Sequence, residues 1–460
     1  MQYLSQRRWH RRGFTLIEAL VFLFLFALIT TVFFQTFAYG TALIQQSKNR
    51  LGAIALANQK MEIVRSLDYD NIGTISGIPA GDIAQDETVQ VNNMHYEVHT
   101  FIQYVDDAYD GTLGGSPNDL VPNDSKRVRI EVAWGDESEA EKVALFSTFA
   151  PPGIEQSVGG GILSINILDS EGNGLSGATV HITNSSVSPS IDVTTTTDAT
   201  GNLFLIGAPA SSQGYHVTFS KGGHFGSATY APYPTTAFIP VDVHASVVNA
   251  VVNQASFVMD QSSTLELRTK DPFDADIPDI DYRIDGGRQI GTQSGTGVAV
   301  LDFGMDDSTD TDGEHDYANR SYGSYTWTLD PGETGYTFIR LEPESTSAPN
   351  LIPLAPGTTQ GVAMILADEA VNGVLFTVTN STDATEVSGA SVQLTNTTLT
   401  YDETVTTSQY GKAYFPETAT PGMVAATYDY EITAAGYDTE TGTVTVTAGL
   451  EPITVDLTPS

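Results

Sequence analysis

Three groups of residues have types and spacings that could do chemistry. The first is Arg11-Arg12-Gly13-Phe14-Thr15-Leu16-Ile17-Glu18. Glu18 is the one charge in the 21-residue apolar run Phe14 to Phe34. A carboxylate inside a span of that length is costly in lipid and marks a functional position by default, because it must find a partner. The second is the stretch from Asp106 to Lys126, with Asp106, Asp107, Asp110, Asp119 and Asp124 among Gly111, Gly114, Gly115 and Pro122. Several aspartates on a Gly-rich loop could supply oxygens to Ca²⁺, although no EF-hand spacing is present and a solvated acidic loop has the same composition. The third is the set of eight histidines, none of which sits in HExxH or at a paired metal spacing.

Other chemistries lack their residues. The chain has no cysteine, so thiol catalysis, disulfides and Cys-ligated zinc are excluded. No P-loop, no dinucleotide fingerprint after a strand and no Gly-x-Ser-x-Gly elbow occurs. Paired carboxylates are abundant, but they carry little information in a chain with 56 Asp plus Glu, 20 Lys plus Arg and a formal charge of −36. That polyanionic balance also argues against direct nucleic-acid binding. The expectation is a non-enzymatic protein.

The elements that must position these residues begin with the N-terminus. Residues 1–13 hold four arginines and no acid, on an otherwise acidic chain. A basic head before about 20 apolar residues predicts a membrane-spanning helix with a cytoplasmic N-terminus and the remainder outside. A secretory signal peptide would have a shorter apolar core and an Ala-x-Ala site; a plain uncleaved anchor would not explain Glu18. Residues 39–66 contain no proline, and Leu51, Ile54, Met61 and Val64 recur at gaps of three and seven. One helix from Phe14 to Ser66 is therefore expected, about 80 Å long at 1.5 Å per residue. Gly40 and Gly52 are single interruptions costing about 1 kcal/mol each.

The junction resembles the type IV prepilin signature: basic leader, glycine, phenylalanine, glutamate at mature position five, then the apolar run. The resemblance implies that a prepilin peptidase cuts between Gly13 and Phe14 and that Phe14 becomes N-methylated. It also implies that Glu18 pairs with the terminal amine of a neighbouring pilin subunit during assembly. A glycine lets the peptidase approach the backbone closely. A buried, unpaired carboxylate is costly, so the pairing would set register.

After Asp70 the pattern turns to alternation. Glu87–Val91, Tyr96–Val105, Arg127–Trp134 and Val143–Phe149 read as four antiparallel strands, with Val128, Ile130, Val132 and Trp134 facing inward. Together with the helix they predict an α+β pilin head. Pro151-Pro152-Gly153 and Gly159-Gly160-Gly161 read as a linker. Beyond it, short strands and turn residues predict tandem all-β sandwiches.

An internal repeat supports this. Ser176–Asn184 matches Ser388–Asn396, Thr196–Gly201 matches Thr406–Gly411, and Tyr215 with Gly223 matches Tyr428 with Gly436. The order resembles the transthyretin-like, carboxypeptidase-regulatory-like domain, while the peptidase domain with its His-x-x-Glu is absent from the sequence. Gly201 and Gly411 would supply positive φ in hairpin turns. A third copy is expected between them, with Leu265–Arg268 and Ile280–Ile284 as first strands and Tyr336–Ile339 as a later one. Asp306–Asp316 reads there as an acidic insertion whose Asp310-Thr311-Asp312-Gly313 is similar to part of a calcium loop; Ser308 and Asn319 stand where that template needs Asp and Glu.

The resulting division is leader 1–13, helix 14–66, sheet 67–150, linker 151–161, and sandwiches 162–260, 261–370 and 371–460, each burying its own two faces. The reading that combines these features is a minor or tip pilin-like subunit, made as a single-pass precursor in the cytoplasmic membrane and then carried to a surface filament. Its sandwiches would meet a surface or host ligand, with Tyr322, Tyr325 and Trp327 as candidate contacts; a core strand is the competing reading of those three. Two alternatives stay open: a pseudopilin of a secretion or DNA-uptake filament, and a membrane-anchored adhesin outside any filament.

Overall fold

A computed structural model describes residues 16–92, 94–112, 116–119, 121–135, 142–152, 159–344 and 350–460. The chain divides into two compact units, Met1–Val158 and Gly159–Ser460. It is one long N-terminal helix followed by β-sheets that pair into sandwich-like domains.

In the first unit, helix α1 runs from Leu16 to Arg65, 50 residues or about 75 Å. Four strands follow: β1 (Asp86–Val91), β2 (Met94–Val105), β3 (Ser125–Trp134) and β4 (Lys142–Phe149). They form an antiparallel meander in sequence order. Val128, Ile130, Val132 and Trp134 point into the core, none more than 4% exposed. The alternation of branched residues sets this register, since a one-residue slip would turn all four outward.

The face that α1 presents to the sheet differs from the expected one. Ala53, Leu56, Ala57, Met61 and Val64 are buried, whereas Leu51 is 67% and Ile54 38% exposed. The core face runs at gaps of three and four through two alanines, because small residues let the helix approach the sheet closely. Gly52 belongs to the same contact. A Cβ there would lie 2.3 Å from the Tyr96 hydroxyl, which instead reaches over the glycine to donate to the Asn49 carbonyl at 3.0 Å.

The second unit holds three pairs of sheets. In the first pair, Val252–Val258, Gly161–Leu168 and Asn202–Ala208 face Ser227–Ala228, Ser211–Ser220, Thr179–Asn184 and Ile191–Thr196, with Ala245–Val247 also paired to Ser211–Ser220. The third pair repeats this plan: Lys412–Phe415, Gly373–Asn380 and Leu450–Leu457 against Tyr401–Thr406, Ser391–Asn396, Ala426–Thr433 and Glu440–Val446. In the middle pair, Ser263–Lys270 and Thr359–Asp368 are the first and last strands, and Asp281–Thr292 and Gly323–Leu329 lie in the facing sheet. The first and last strands lie parallel in all three.

The repeat extends to single hydrogen bonds. A buried threonine hydroxyl accepts from the backbone at Ala178 (Thr197), Ile280 (Thr309) and Ala390 (Thr407). A buried tyrosine hydroxyl donates to a nearby carbonyl in each: Tyr215 to Pro209, Tyr325 to Ser321 and Tyr428 to Val424. Tight turns end on Gly201, Gly313 and Gly411, with φ of 79°, 73° and 65°. Asp310–Gly313 is thus the repeat's own turn rather than an insertion, and in all three copies this turn carries the chain from one sheet to the facing one instead of closing a hairpin. The Asp310 carboxylate accepts the backbone N–H groups of Glu314 and Asp312, both at 2.9 Å. Those bonds hold its pKa below the usual carboxylate range.

The sandwiches are also less independent than beads on a string. Ile239–Pro240, from the first, pairs with Asp281–Thr292 of the second. Arg288 donates to the Val258 carbonyl and to the Ser227 hydroxyl. From the third, Tyr410 enters the middle core, and Lys412 donates to the Phe338 carbonyl at 2.6 Å.

Candidate functional site: the N-terminal helix and the acidic loop

The first half of α1 is built for an apolar surrounding. Leu20, Val21, Phe22, Leu23, Phe24, Leu25, Phe26, Leu28, Ile29, Val32, Phe33, Phe34 and Phe37 are all at least half exposed. The span is long and apolar enough to cross a membrane. Two of its hydroxyls bond within the helix: Thr31 donates to the Ala27 carbonyl and Thr36 to the Val32 carbonyl, each at 2.8 Å. Such back-bonding lets a hydroxyl sit in hydrocarbon without a lost hydrogen bond. Glu18 lies in the first described turn of α1. Gly13 and Phe14 lie outside the described residues, as does the Glu18 side chain.

The acidic loop joins β2 to β3. It brings together three of its five candidate aspartates: Asp106, Asp119 and Asp124 place carboxylate oxygens within 4.8 Å of one another. Asp119 Oδ1 accepts the Val121 N–H at 2.8 Å, and Asp124 Oδ2 accepts the Asp107 N–H. The second oxygens, Asp119 Oδ2 and Asp124 Oδ1, are buried without a hydrogen-bond partner. Asp107 and Asp110 are exposed and stand outside the trio. Asp107 instead closes a local turn by accepting the Tyr109 N–H.

Next to this loop in sequence, Lys126 is 2% exposed. Its Nζ donates to the Tyr69 carbonyl at 2.7 Å and lies 4.6 Å from the Tyr69 ring centre. Burial lowers its pKa to about 8, partly offset by the Asp70 charge. Sequence reading missed it. Its one signal is a charged residue on the inward phase of a strand, two positions before Val128.

The aromatic candidates in the middle sandwich divide. Tyr325 is 0% and Trp327 2% exposed, both within the core cluster. Tyr325 carries the repeat's hydroxyl contact and Trp327 packs edge-on against Tyr282, so burial removes both from any docking surface. Tyr322 is half-buried, and burial raises its pKa, with the Asp260 charge adding to the effect.

Residues 10–34 match the prokaryotic N-terminal methylation motif. The match covers Gly13, Phe14 and Glu18 together with the exposed apolar half of α1. The chain therefore carries this motif at the head of a helix that is long and apolar enough to cross a membrane. No curated protein matches it in sequence. Among solved structures it is similar to the Bacillus anthracis TIE protein, at 14% identity over 81% of this chain and 73% of that one, with a TM-score of 0.19. The Streptococcal ancillary pilin matches at 11% identity over 65% and 99%, TM-score 0.18. GBS52, the minor pilin of Streptococcus agalactiae, matches at 12% identity over 45% and 96%, TM-score 0.20. At such TM-scores these likenesses do not transfer a function.

Proposed function

We propose that the chain is a minor or tip subunit of a type IV pilus or a related filament. Prepilin peptidase removes residues 1–13 on the cytoplasmic side, and Phe14 becomes the methylated terminus. The protein then leaves the membrane for a surface filament, joined to other pilin subunits through the first half of α1. The observation that carries this reading is one helix with two environments, directly after a methylation motif. Large apolar side chains are bare over its first half, and small ones are packed under a four-stranded meander over its second. The role is structural rather than enzymatic. The sandwich unit serves for display, and attachment to a surface or host ligand is the use we assign to it. Sheared filaments probed for this chain test the reading: co-fractionation supports it, and retention of all the protein in the membrane overturns it. Cells making a chain cut after Pro152 test display. Loss of attachment supports it, and unchanged attachment leaves the sandwiches as a spacer.

A second reading concerns the acidic loop. We propose Ca²⁺ binding by Asp106, Asp119 and Asp124, because their oxygens converge and two buried ones, on Asp119 and Asp124, lack a hydrogen-bond partner. Three carboxylate oxygens are part of the six to eight that Ca²⁺ takes, and carbonyls and water supply the others. Added CaCl2 should raise the melting temperature of the wild type and leave an Asp119→Asn/Asp124→Asn variant unmoved. Equal response of both chains excludes the site.

A further inference from the structure

The outer face of the first sandwich gathers histidines that lie far apart in sequence. On the strands Thr179–Asn184 and Ser211–Ser220, the core takes Val180, Ile182, Tyr215, Val217 and Phe219. His181 and His216 therefore point the other way. His181 is opposite Thr218 and His216 opposite Thr183, so the two histidines are diagonal neighbours on one face. On the far side of Ser211–Ser220, Ala245 is registered with Tyr215, which carries His244 to His216. The two rings lie 4.9 Å apart, centre to centre, tilted by 53°.

The His244 ring is held in place. Its Nδ1 lies 2.9 Å from the Thr229 hydroxyl, and Thr229 is 3% exposed and also accepts the Val217 N–H. With Nδ1 anchored on a buried hydroxyl, Nε2 is the nitrogen left to coordinate, the arrangement by which a neighbouring group orients a metal-binding imidazole. Burial, and then a second histidine, His181 for His216 and His216 for His244, hold both rings below the usual imidazole pKa. Both are thus in the neutral, ligating form at neutral pH. His181 is engaged elsewhere, its Nε2 2.7 Å from Asp192.

We propose that His216 and His244 form a two-nitrogen site for a first-row divalent transition ion, Cu²⁺ or Zn²⁺ by ligand type. Among the described residues, the one trio with ligating atoms within 4.8 Å of each other is Asp106, Asp119 and Asp124. The histidine site is accordingly open, with its remaining positions filled by water. It belongs to the sandwich unit and is independent of the calcium reading of the loop.

A polyanion gathers cations on its carboxylates as well, so the test must read nitrogen. Full-length chain in detergent with one equivalent of CuCl2 should give a low-temperature EPR spectrum with hyperfine splitting from two nitrogens. His216→Gln or His244→Gln should leave one nitrogen and weaken binding by about tenfold or more. The double variant should show oxygen ligation only, and His95→Gln should match the wild type. An oxygen-only spectrum from the wild type overturns the proposal without recourse to any variant. Survival of the two-nitrogen pattern in the double variant overturns it too.

Discussion

The two halves of α1 differ in what an apolar side chain means. From Leu16 to Phe37 the helix is rich in Leu and Phe, and those side chains are bare. From Asn49 to Val64 the buried face is built on Ala53, Ala57, Met61 and Val64, with Gly52 under the Tyr96 ring. Hydrophobicity is higher in the half whose side chains stay bare among the described residues. Burial in the other half follows from small size and from the shape of the sheet. Surface of the first kind needs another apolar medium, either lipid or the helices of neighbours.

The largest expected effect falls on the bare half. Glu18→Ala should be inserted and cleaved normally, since removing a charge makes insertion easier. If Glu18 pairs with the terminal amine of a neighbouring subunit, the variant should be lost from sheared filaments. Wild-type levels of the variant in filaments would show that the bare half assembles through apolar contact alone.

Gly52→Leu probes the packed half. The new side chain must displace the Tyr96 hydroxyl, breaking its bond to Asn49 and forcing the helix off the sheet. Overpacking of this kind costs about 1–3 kcal/mol, readable in thermal unfolding of the first unit, while membrane insertion should be unaffected. Gly40→Leu is the control, because no atom lies within 4 Å of a Cβ there, and it should bring no loss of stability and a gain of at most about 1 kcal/mol from helix propensity.

Lys126 gives the packed half a pH signature. Its folded pKa of about 8 lies below the 10.5 of a free lysine, so between these values the unfolded chain binds more protons. Stability must rise with pH across that window. Above about pH 10 the trend reverses as the unfolded tyrosines ionise, because Tyr69, raised to about 12 by burial, and Tyr104 keep their protons when folded. Denaturant titrations from pH 7.5 to 9.5 should show the rise in the wild type and a flat profile in Lys126→Met. A rise of equal size in both chains would assign it to other groups.

These regions also show what the sequence makes legible. The four strands of the meander could be read to within about two residues, because alternating branched residues allow one register. The helix face could not, since Ala53, Ala57 and Gly52 carry almost no hydrophobic signal. The turn at Asp310–Gly313 is masked in the sequence by the acids crowded around it, although it matches Asp198–Gly201, whose Asp198 carboxylate accepts the N–H groups two and four residues on just as Asp310 does. Tyr325 and Trp327 fit either a contact surface or a core strand in the sequence, and burial decides for the core, with Tyr325 repeating the hydroxyl contact of Tyr215 and Tyr428. His216 and His244 are brought together by strand pairing alone, which no local spacing encodes.

The smallest expected effect separates the repeats. Tyr215→Phe and Tyr428→Phe each remove one hydroxyl-to-carbonyl bond, at 2.6 and 2.8 Å, between otherwise similar cores. Each should cost about 1 kcal/mol, and the two losses should agree within a few tenths if the repeat is energetic as well as geometric. Unequal losses would assign part of the stability to contacts that one copy lacks.

The central claim is that the bare half of α1 belongs to a processed subunit. Intact-mass and N-terminal peptide analysis of the protein purified from its own cells tests this most directly. The account predicts a chain that begins at Phe14, carries one added methyl group on its amine and lacks residues 1–13. A mature chain that still begins at Met1, or one cut after the apolar run, would contradict it.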